Sequence, residues 1–117
     1  YVTAATTGNA TDFGDLTVAR YALGALANRT RGVFMGGYSS NRLDYITVAT
    51  PGNATTFGSQ SVSRQSANGG ATNGTRGTQA GGNSSSVIDY FEIDTPGNAV
   101  DFGDIESRYG SYTAAGG

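Results

Sequence analysis

Histidine is absent from the 117 residues, which excludes a histidine-based catalytic triad, a histidine metal site and a histidine pH switch. Cysteine is absent too. Thiol chemistry goes with it, no disulfide framework stabilises the chain, and thiols say nothing of redox compartment. Lysine is missing as well, so all seven cations are arginine. Against nine acidic residues they leave a net charge of -2. Without a cationic cluster there is no electrostatic footprint for nucleic acid or for an anionic membrane surface. No apolar run approaches membrane-spanning length, and no signal-like hydrophobic segment is present. The chain opens on Tyr1, not Met, inside a motif; the expectation is a processed product or part of something longer.

Large aliphatic side chains are also scarce. Leu, Ile, Val and Phe make up 20 of 117 residues, and the 37% hydrophobic share leans on Ala and Tyr. Such poverty combined with high net charge would mean disorder, but here the charge is small and Tyr and Phe are plentiful. The reading is a folded, weakly cored chain of about one domain. Glycine is abundant, with 19 residues, alongside many Ser, Thr and Asn and only 14% charged residues. That is the composition of a turn-rich all-β surface protein rather than a helical enzyme.

Self-similarity organises the chain. YVTAATTGNATDFG from Tyr1 to Gly14 returns as YITVATPGNATTFG from Tyr45 to Gly58 and as YFEIDTPGNAVDFG from Tyr90 to Gly103, spacings of 44 and 45 residues. Arg20, Arg64 and Arg108 follow the Phe-Gly pairs at nearly constant distance, and Arg31-Gly32 with Gly36-Gly37 recurs as Arg76-Gly77 with Gly81-Gly82. Residues 1–117 are thus one repeat domain of three partial units, about 1–30, 31–75 and 76–117.

Within a unit the pattern predicts strands. Val2 and Ala4, Ile46 and Val48, and Phe91 and Ile93 alternate onto one face, expected to be buried. Thr50-Pro51-Gly52-Asn53 and Thr95-Pro96-Gly97-Asn98 predict type II turns with glycine at positive φ. Gly32 to Tyr38 predicts a short apolar strand running into a glycine pair, hairpinned to a strand that begins at Asp44-Tyr45. Leu16, Ala19, Leu23 and Leu26 have helical spacing. The equivalent stretch Gln60 to Thr72 is a very poor helix former, so strand plus loop is expected in both.

Short strands, a closing Gly-Gly pair, a following aromatic and a unit in the mid-forties resemble a blade of a kelch-type β-propeller. DYITVATPGNATTFG and RGVFMGGYSSN also resemble tandem repeats of phage tail-fibre or virion proteins and related environmental proteins. The resemblance implies an all-β fold of tandem four-stranded blades with function on loops or the outer edge. Fewer than three units do not close a ring of at least four blades, so other copies are expected to close it or extend it as a filament. The second unit is more polar, with Thr78, Gln79 and Ala80 where the first has Val33, Phe34 and Met35.

No catalytic, cofactor or metal site is expected. Asp12 with Asp15, and Asp101 with Asp104, are carboxylate pairs of the kind glycoside hydrolysis needs. The second unit has Thr56 and Ser59 there, which favours solvated turns or local caps; their spacing does not match a calcium-binding EF-hand loop. The recurrent arginines read as structural, tying strands to carbonyls or to Asp44 or Asp89. Phe13, Phe57 and Phe102 read as core between blades, and Tyr38, Tyr109 and Tyr112 as an exposed contact surface. Five Asn-x-Ser/Thr sequons, at Asn9, Asn28, Asn53, Asn73 and Asn83, are candidate glycan acceptors in a secreting host. Repetition multiplies them: Asn9 and Asn53 are one position, as are Asn28 and Asn73.

Three functions compete. The first is a structural or adhesive virion component at the virion surface, a tail-fibre or decoration protein partnered by its own copies. A secreted, glycosylated extracellular filament subunit is the second. The third is a propeller that binds or hydrolyses surface glycans.

Overall fold

A computed structural model describes residues 1–65, 70–82 and 85–106. Among these residues there are eight strands and no helix: β1 Gly24–Ala27, β2 Arg31–Met35, β3 Arg42–Thr47, β4 Thr55–Ser59, β5 Gly70–Thr72, β6 Arg76–Ala80, β7 Val87–Glu92 and β8 Val100–Asp104. They form two antiparallel meanders of four strands, β1-β2-β3-β4 and β5-β6-β7-β8. The helical spacing in Leu16 to Ala27 gives way to loop and then β1, as the poor helix former at the equivalent place implies. The sheets are offset from the text repeat: residues 1–15 precede the first sheet and carry the motif that forms the last two strands of each later unit.

The two sheets repeat in register. Gly32 faces Ile46 and Phe34 faces Asp44 in the first; Gly77 faces Phe91 and Gln79 faces Asp89 in the second. Both sheets slip at the same place. Asp44 pairs with Thr56 and Leu43 with Gly58, leaving Phe57 unpaired between them; Phe102 is bypassed in the same way between Asp101 and Gly103. The recurring phenylalanine is therefore a bulge residue, re-aimed by the extra residue in its strand.

The core lies between the sheets. Leu26, Val33, Met35, Leu43 and Phe57 of the first pack with Phe91 and Ile93 of the second, with Tyr45 and Ala99 at the margin. Glycine lets the sheets approach closely: a Cβ at Gly70 would stand 2.6 Å from Leu26 Cδ2, and one at Gly77 would stand 2.8 Å from the same atom.

Three sequence expectations need correction. The alternating face is buried only in the third unit: Phe91 and Ile93 are inside, whereas Ile46 is half-buried and Val2 and Val48 are exposed. The same pattern is buried or not according to whether a sheet lies on it, which one unit's text does not record. Phe13, Phe57 and Phe102 divide likewise, into half-buried, buried and exposed. Finally, Gly52 and Gly97 are not among the glycines at positive φ. The hydrogen-bonded turn comes earlier, where Thr50 N–H donates to Thr47 O (3.2 Å) and Thr95 N–H to Glu92 O (3.1 Å). The Pro-Gly-Asn segment leaves that turn and reaches the neighbouring unit.

Candidate functional site

The recurring arginines enter from the segments that precede each sheet. Arg20 donates through Nη1 to the carbonyls of Gly36 (3.0 Å) and Arg42 (2.8 Å), and through Nη2 to Asp44 Oδ2 (2.9 Å). Arg64 repeats this one unit on, with Nη1 bound to the carbonyls of Gly81 and Val87 and Nη2 to Asp89 Oδ2 (3.1 Å). A hydroxyl completes each cluster: Thr17 Oγ1 donates to the Asp44 carboxylate (2.7 Å) and Ser61 Oγ to Asp89 Oδ1 (2.6 Å). Burial pushes the Arg20 guanidinium below its ordinary value, with Asp44 opposing and Arg42 adding to the effect. It remains charged, since arginine titrates far above neutrality.

These clamps explain the glycine pairs. Gly36 and Gly37 have φ of 65° and 122°, and Gly81 and Gly82 have 71° and 86°, so all four hold backbone conformations that favour glycine. Gly36 thereby offers its carbonyl to Arg20, while Gly37 N–H donates to Arg64 O (2.9 Å), linking one unit to the next. Asp44 and Asp89 are fully buried. The Arg64–Asp89 pair is sealed from solvent, whereas Asp44 also meets Arg42 Nε at 3.4 Å, and Arg42, 39% exposed, lines with Arg20 the cleft beside Tyr38. Arg108 lies outside the described residues.

A second recurrent feature joins the units at their outer strands. Gly52 N–H donates to Phe13 O (2.8 Å), Ala54 N–H to Asp15 O (2.8 Å), and Asp15 N–H to Asn53 Oδ1 (3.0 Å). One unit on, Ala99 N–H donates to Ser59 O (2.8 Å) and Ser59 N–H to Asn98 Oδ1 (3.1 Å). The Gly-Asn-Ala segments of the second and third units thus dock on the Phe-Gly edge of the unit before them. The approach is so close that a Cβ at Gly14 would stand 2.4 Å from Gly52 O, and one at Gly58 would stand 2.1 Å from Gly97 O. Glycine after the phenylalanine is a steric requirement of this seam.

The sequon asparagines have structural uses. Asn28 Oδ1 caps its turn, accepting from Thr30 N–H (2.9 Å) and Arg31 N–H (2.8 Å); Asn73 Oδ1 does the same for Thr75 (3.0 Å) and Arg76 (2.8 Å). Asn-x-Thr before Arg-Gly is thereby accounted for as a turn motif. The Asn28 amide also reaches the second sheet, donating through Nδ2 to Gly74 O (3.1 Å) and Asp94 Oδ1 (3.0 Å). A glycan attached at that nitrogen would disrupt the contact. Asn83 falls outside the described residues, and Asn9 is exposed.

The carboxylate pairs cap locally. Asp12 Oδ1 accepts from Gly14 N–H (3.1 Å) and Asp101 Oδ1 from Gly103 N–H (2.9 Å), while Asp104 Oδ1 accepts from Ser86 Oγ (2.8 Å). Among the described residues no group of three or more acidic side chains is placed to hold a metal ion.

Tyr38 is exposed, and its ring stacks on Tyr21 at 5.2 Å and 13° between planes, a pairing that nothing in the repeat text signals. Tyr109 and Tyr112 lie outside the described residues. Beside Tyr38 opens a cleft of about 580 Å³ lined by Ser40, Asn41, Arg42, Thr56 and Asn98. Arg31 and Arg76 each lie 4.5 Å over a tyrosine ring, Tyr45 and Tyr90 respectively, a cation–π contact repeated unit by unit.

Compared with known proteins, the chain matches no protein family and no curated protein.

Proposed function

We propose that this chain is a non-catalytic structural module of kelch-like blades, a virion-surface component of the tail-fibre or decoration type that works assembled with other copies of itself. The observation that carries the reading is the repeated seam. The Gly-Asn-Ala segment docks on the Phe-Gly edge twice in succession, so the repeat adds one unit to the next by a fixed contact, as a stalk or ring requires. The recurrent polar residues support it too, because Arg20, Arg64, Asp44 and Asp89 are bound within the scaffold.

Two other readings each have an observation in their favour. The exposed sequon Asn9 suits a secreted, glycosylated filament subunit, and sugar mass on Asn9 or Asn73 would favour it. The exposed Tyr21–Tyr38 stack beside a polar cleft suits binding of a surface glycan.

Electron imaging of the native particle separates the first two readings. A ring, knob or coat on a capsid is the expected outcome. A continuous fibre with no capsid would replace the virion reading with the filament, and a lone monomer would reject both.

A further inference from the structure

The seam is built twice inside the chain, and each time it takes a Gly-Asn-Ala segment from one unit and a Phe-Gly edge from the unit before it. Among the described residues one edge and one segment remain. The edge is Phe102-Gly103-Asp104 on the outer strand β8; the segment is Gly8-Asn9-Ala10. We propose that they are the two halves of a third seam, made head to tail between two copies of this chain. The inference rests on the reading of a self-assembling module and assigns the contact through which it assembles.

Gly103 gives the first argument. Its φ of 146° repeats the 142° of Gly14. A Cβ at Gly14 or Gly58 would collide with the carbonyl docked on it, at 2.4 and 2.1 Å, while at Gly103 it would meet nothing within 4 Å. The edge has the glycine and the shape of an occupied seam without the neighbour.

Phe102 gives the second. It meets Tyr90 edge-on at 6.0 Å and 82°, as Phe57 meets Tyr45 at 5.9 Å and 82°. Phe57 lies beneath Phe91 of the next sheet, 5.3 Å between ring centres, and is 4% exposed; Phe102 is 62% exposed, beside Val100 at 51%. An apolar pair on an outer strand is a standing invitation to association.

The free segment gives the third. Ala10 N–H donates no hydrogen bond among the described residues, whereas its counterparts Ala54 and Ala99, in the two occupied seams, both do. Transferred position by position, Gly8 N–H donates to Phe102 O of another copy, Ala10 N–H to Asp104 O, and Asp104 N–H to Asn9 Oδ1. A contact between different surfaces propagates, closing as a ring or running on as a fibre.

Because the chain has no cysteine, cross-linking tests the pairing directly. Asn9→Cys and Asp104→Cys chains, mixed and oxidised, are expected to give a disulfide dimer well beyond what either gives alone. Asn53→Cys with Asp15→Cys in one chain is the internal standard for the same geometry. In sedimentation velocity, Asn9→Ala removes one hydrogen bond and is expected to weaken association about tenfold. Phe102→Ser is expected to weaken it further, with the circular dichroism spectrum unchanged. A chain that self-associates yet gives no mixed disulfide and ignores both substitutions would overturn this seam and leave the self-assembly reading standing. A chain monomeric at every concentration would overturn both.

Discussion

Asp44 and Asp89 stand where a strand would ordinarily place an apolar side chain, and each is made tolerable by an arginine from outside its own sheet. A buried ion pair is weak evidence of net stabilisation, since desolvating two charges offsets most of their attraction, but removing one partner strands the other. Asp89→Ala is therefore expected to lower unfolding free energy by about 3–5 kcal/mol in urea denaturation. The contrast is Arg76 with Glu92, paired at 3.0 Å but with side chains 47% and 43% exposed; Glu92→Ala is expected to cost less than about 1 kcal/mol. If the two variants unfold alike, the buried clamp is not what holds the hairpin loop. The clamp was half legible in sequence. Arg20, Arg64 and Arg108 recur at nearly constant distance after Phe-Gly, and Asp precedes Tyr45 and Tyr90, so two charges of opposite sign share one period. That carbonyls would share the guanidinium was legible, but which ones was not, because the choice depends on the left-handed turn of Gly36 and Gly81 bending the backbone toward it.

At the scale of an element, identical text has different fates. The strands that contain Phe57 and Phe102 have the same bulge, an equivalent tyrosine partner and the same following glycine, yet one ring is in the core and the other is in solvent. Periodicity of 2 identifies which residues share a face, but only the neighbouring sheet decides whether that face is covered. This is why the strands were legible from the repeat while the burial of Val2, Val48 and Phe102 was misread. The difference is measurable. Phe57→Ala is expected to destabilise the chain by about 3–5 kcal/mol. Phe102→Ala is expected to change unfolding of the isolated chain by no more than about 0.5 kcal/mol. Equal losses in chemical denaturation at low protein concentration would mean that Phe102 is covered in solution by something beyond its own unit.

Over the whole molecule, extents of 44 × 28 × 27 Å contain two sheets and one core between them. A four-stranded meander with so few large side chains has little to bury by itself; each sheet takes its apolar cover from the other, and the seam fixes how they meet. Stability in such a chain is a sum of unit and interface contributions, with cooperativity carried by the interface. Gly58 is the point at which to interrupt it. Its φ is ordinary, so alanine strains no local backbone, but the new Cβ would stand 2.1 Å from Gly97 O. The seam must open by more than an ångström to admit it, at an expected cost of about 1–3 kcal/mol. In the unaltered chain, amides of β2–β3 and β6–β7 are expected to exchange with the same free energy, because neither hairpin opens without exposing the shared core. In Gly58→Ala the two hairpins are expected to separate, the more polar β6–β7 pair exchanging first, since Thr78, Gln79 and Ala80 contribute less apolar surface than Val33, Phe34 and Met35. Native-state hydrogen exchange reads both hairpins in one experiment. Protection that falls equally in the two would mean that the core alone couples the sheets, and that the Gly-Asn-Ala contact orders the units without binding them together.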